Sequence, residues 1–77
     1  MSRYIYDEIK NEFLKDGVEV DPMAIIDCMA RISKNMGYTT PGEIPEELLE
    51  TFKHKTMLLL RRYVKVLSAI ESWLAKM

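Results

Sequence analysis

The chain has 77 residues, 48% of them hydrophobic and 30% charged, with a formal net charge of −1. That length allows one domain with a thin core, burying roughly 60–65% of its unfolded surface, and Cys28, the only cysteine, cannot staple it with an internal disulfide. The apolar content excludes intrinsic disorder, and the longest apolar runs, residues 23–26 and 57–60, fall far short of the ~20 residues of a membrane span. No basic, apolar, small-residue signal pattern opens the sequence, and a lone thiol with six methionines fits a reducing compartment, so a cytoplasmic location is expected.

The spacing predicts three helices and no sheet. The first spans about 3–16: Ser2 is a suitable N-cap, Ile5, Ile9 and Phe13 recur every fourth residue with Tyr6 beside them, and Gly17 suits a left-handed terminator. Val18, Glu19 and Val20 favour extended backbone but are too few for a strand. The second helix spans about 22–36. Asp21 is its N-cap and Pro22 its first residue, where a missing N–H costs nothing. Ile25, Met29, Ile32 and Met36 form its stripe, and Gly37 ends it.

Thr40-Pro41-Gly42-Glu43 admits two readings: a type II turn with Pro-Gly at its centre, or a capping box in which Thr40 and Glu43 close one helical turn. A third helix is expected over 45–76, a segment without glycine after its opening Pro45. Leu48, Phe52, Leu59, Tyr63, Val66, Ile70 and Met77 fall within about 60° of one another at 100° per residue, making one stripe about eight turns long. The expected core is Ile5, Ile9, Phe13, Ile25, Met29, Ile32, Phe52, Leu59, Tyr63, Val66, Leu67 and Ile70.

The lengths do not match. Two helices of about 22 Å cannot cover both sides of one of roughly 48 Å, and a bare stripe of that size exceeds what soluble monomers expose. The fold class expected is therefore an all-α bundle of two short helices and one long amphipathic helix, completed by homodimerisation. Met57, Leu58, Val64, Trp73 and Met77 are the residues expected at a dimer or partner interface. Residues 1–52 carry five basic and eleven acidic side chains, and residues 53–77 six basic and one acidic. Helix dipoles explain part of this split; the remainder reads either as a solvated polar face with i,i+4 pairs or as a charge pattern that would favour antiparallel pairing.

Candidate chemistry is sparse. Glu50 and His54 share a helix face, but two ligands do not make a metal site. Cys28 has no base to activate its thiol and reads as a core filler. Glycines 17, 37 and 42 are isolated, so no phosphate loop exists. No catalytic residue, metal or cofactor is expected. The methionines read mainly as core, with an adaptable interface as the lesser use. A helix-turn-helix around Gly37 fails because Glu46 and Glu47 would enter the groove. The basic run Lys53, Lys55, Arg61, Arg62 and Lys65 could meet phosphates, although Glu47 and Glu50 share its helix. The C-terminal stretch with Trp73 has the amphipathicity of a membrane-surface helix but lacks a lysine row, so a membrane partner is not expected. The function expected is a non-catalytic protein-interaction module, an adaptor, inhibitor or regulator, with a nucleic-acid-associated factor as the alternative.

Overall fold

The computed structural model describes residues 4–76, the side chains of 65–71 excepted. It is all-α, with α1 (Ile5–Lys15), α2 (Pro22–Asn35) and α3 (Leu49–Ala75), and two short 3-10 turns, Pro41–Glu43 and Glu46–Leu48, between α2 and α3. No strand occurs among the described residues. Each helix packs on the other two.

Local chemistry accounts for the boundaries. Asp21 caps α2, its side chain accepting from the Met23 N–H at 3.1 Å, with Pro22 at the first helical position. Gly17 and Gly37 take positive φ of 76° and 95°. Each closes a Schellman motif: the Val18 N–H donates to the Phe13 carbonyl, and the Tyr38 N–H to the Ser33 carbonyl, both at 2.9 Å. Ser2 lies outside the described residues, and α1 opens after Tyr4 with no side-chain cap.

The turn after Gly37 settles between its two readings. A type II turn needs positive φ at Gly42, which Gly42 does not adopt. Residues 41–43 instead form one 3-10 turn, in which Glu43 reaches back as a capping-box acid would but accepts from the Thr39 N–H, at 3.3 Å. Thr40 makes no side-chain cap bond. Pro45 then starts a second 3-10 turn, and the α-helix begins at Leu49, four residues later than expected. Between the turns Ile44 drops into the core.

The core comprises Ile5, Ile9 and Phe13 from α1, Ile25 and Cys28 from α2, Ile44, and Phe52, Met57 and Leu60 from α3. Three expectations are corrected. Tyr63, expected inside, is 48% exposed. Leu59 is half-buried at the core's margin, as are Met29 and Ile32. Met57, expected to need a partner for burial, lies in the chain's own core.

One cause explains the α3 corrections. The expected stripe averages all eight turns, whereas the packed half of α3 faces a seam between two helices. That seam is centred on Thr56 and Leu60, roughly 70° around the helix from the averaged direction. Val66, Leu67 and Ile70 lie outside the described side chains.

The two buried hydroxyls are satisfied locally. Thr56 donates to the Phe52 carbonyl at 2.8 Å and Ser33 to the Ala30 carbonyl at 2.9 Å.

Candidate functional site

The lengths of the helices create the most distinctive surface. At about 1.5 Å per residue, α1 and α2 are roughly 16 and 21 Å long and α3 about 40 Å, and the molecule measures 48 × 25 × 17 Å. Among the described side chains of α3, the buried ones run from Phe52 to Leu60. Val64 is half-buried, and every described side chain from Ser72 to Lys76 is exposed. The last part of α3 is thus an arm beyond the reach of α1 and α2, and it displays Trp73 at 63% and Leu74 at 56% exposure. Tyr63 stands at the root of the arm. Leu74 lies eleven residues further on, about 20° away around the helix, so the two share a face, with Trp73 on its flank.

The expected interface residues therefore separate. Trp73 and Leu58 are exposed, Val64 is half-buried, Met57 is withdrawn into the core, and Met77 lies outside the described residues. Leu58 sits on the far side of α3 from the body, away from the arm's apolar face. Tyr63 is expected in the core, and Leu74 is not among the expected interface residues. Only the end point of the short helices, invisible in local periodicity, turns both into surface.

The basic run separates as well. Lys53 is 13% exposed at its side chain, with its Nζ 3.2 Å from Glu8 Oε1 and 3.3 Å from Glu12 Oε1. Burial opposes its charge, and hydrogen bonds to the two carboxylates outweigh burial, raising its pKa above the ordinary value. Lys53 is a tie between α3 and α1. Lys55, Arg61 and Arg62 are exposed, and the Lys65 side chain lies outside the described residues.

Burial, then the neighbouring Asp27 carboxylate, pushes the Cys28 thiol up against the opposing pull of Arg31, which is the reverse of nucleophile activation. No group of three or more His, Cys, Asp or Glu side chains able to hold a metal occurs among the described residues. No helix among them is long and apolar enough to cross a membrane.

A second feature lies at the opposite end of the molecule. Tyr6, Ile26, Met29, Ala30 and Pro41 enclose an apolar groove of about 400 Å³. It continues along α1 past Tyr4, Asp7 and Phe52, through the shared walls Tyr6, Met29 and Pro41. Ile26, at 50% exposure, forms its outer lip. Comparison with protein-family models, with curated proteins and with solved structures gave no match.

Proposed function

We propose that the protein is a non-catalytic protein-interaction module, a small adaptor, inhibitor or regulator, whose working surface is the apolar face of the α3 arm. We propose further that its first partner is a second copy of itself. The observation that carries this reading is the exposure of Trp73 and Leu74 on a helix that outruns its own bundle. Aromatic side chains of this kind dominate the energetics of protein interfaces. A helix end whose described side chains are exposed also gains from a partner, because helical stability in water comes largely from packing one face.

Sedimentation equilibrium tests this. The wild-type mass is expected to rise with concentration from 9.0 kDa toward twice that, and Trp73→Ser with Leu74→Ser is expected to hold it at the monomer value. A concentration-independent 9.0 kDa mass for the wild type contradicts the self-association.

The alternative, phosphate binding by the basic run, loses Lys53 to Glu8 and Glu12. With Lys55, Arg61, Arg62 and Lys65 remaining, four neutralised phosphates would give a slope of log K against log salt of about −3.6 on duplex DNA. A slope of that size or steeper would favour this alternative.

A further inference from the structure

We propose that the groove between α1, α2 and the Pro41–Glu43 turn is the seat for the α3 arm of a second copy, exchanged reciprocally so that each body holds its partner's Trp73 and Leu74. The inference rests on the arm being an interaction surface and commits it to one site. It starts from complementarity: one end of the molecule offers an apolar groove of about 400 Å³, and the other offers a tryptophan and a leucine in the open.

Charge selects the groove over the other candidate, a second arm. The arm, residues 63–76, carries two basic and one acidic side chain, a net of +1, while residues 4–62 carry eight basic and eleven acidic, a net of −3. Two arms side by side repel, whereas an arm against a foreign body attracts. Asp7 lines the groove's continuation along α1, so the seat carries an acid of its own.

Geometry makes the exchange intermolecular. Trp73 lies 21 residues beyond Phe52, about 32 Å along α3, and no Gly or Pro between them allows the helix to fold back. An antiparallel pair that lays Trp73 against the partner's Phe52 end has its two-fold axis near Tyr63. Arg61 and Arg62 stand about 160° and 100° around the helix from Tyr63, so the contact leaves both in solvent. Reciprocal occupation closes the assembly at two copies, with no groove left for a third.

The test uses the single tryptophan. Ile26→Glu puts a charge on the groove lip and leaves the arm intact; Trp73→Ser leaves the groove intact and removes the fluorophore. Each variant alone is expected to dimerise about tenfold or more weakly than wild type, with its helical circular dichroism unchanged. When the two are mixed and tryptophan alone is excited, only the Ile26→Glu chain emits, and its emission is expected to shift to the blue as the Trp73→Ser chain supplies an empty groove. Ile26→Ser, expected to act in the same direction more weakly, replaces Ile26→Glu if the charged variant loses helicity. Wild-type-like dimerisation of both Ile26 variants would overturn the groove and leave the arm reading standing, as would emission that does not move on mixing. A wild-type chain that never dimerises would overturn both.

Discussion

Lys53 carries its charge into the seam between α3 and α1, where the Glu8 and Glu12 carboxylates lie within 3.3 Å. Its pKa is raised in the fold, so this tie is complete below the ordinary ammonium value of 10.5 and is lost as pH rises through the folded one. Cys28 works in the same direction from its ordinary 9.0, because the unfolded chain ionises first. Urea unfolding between pH 8 and 11 is expected to show stability falling from about pH 9 upward, with Lys53→Met flattening the upper part of that fall. At neutral pH the same substitution is expected to cost about 1 kcal/mol, as a partly exposed ion pair does. An unchanged alkaline limb in Lys53→Met contradicts the tie. Spacing alone places Lys53 in a basic run, because nothing local records that α1 would lay two carboxylates across it. Cys28, by contrast, was legible from its position beside an apolar stripe with no histidine near it.

At the scale of elements, boundaries governed by backbone chemistry were the most legible. Asp21-Pro22, Gly17 and Gly37 act within four residues of themselves, and all three behave as their local chemistry requires. The segment from Thr40 to Leu48 was less legible, since Pro41 and Pro45 permit several tight turns and the choice depends on sinking Ile44 into a core assembled from distant residues. The glycines give a clean comparison. A Cβ at Gly37 would meet nothing within 4 Å, so Gly37→Ala pays only for its φ of +95°, about 1–2 kcal/mol. Gly42 has no such φ, and the nearest atom to an added Cβ is Thr40 Oγ1 at 3.9 Å. Gly42→Ala is therefore expected to be neutral or stabilising by up to about 1 kcal/mol. Chemical denaturation of the two variants checks the pair, and equal costs would contradict the assigned turn.

At the scale of the whole molecule, the mismatch between two short helices and a long one was legible from their periodicity, and the arm is its consequence. The direction α3 faces was not legible. An average over all its apolar positions mixes the half packed at a seam with the half left open, which is why Met57 and Tyr63 exchange their expected places. Among the described side chains the core contribution of α3 ends at Leu60, and the proposed second copy would bury the exposed Trp73 and Leu74. Trp73 is the sole tryptophan and sits on that arm, which makes its emission the most direct reporter. Dilution of the wild-type chain from high to low micromolar concentration is expected to move the Trp73 emission from a blue-shifted, buried maximum to a red-shifted, solvated one. The midpoint should coincide with the mass transition seen by sedimentation. A solvated emission maximum that stays constant across the whole range would contradict the account.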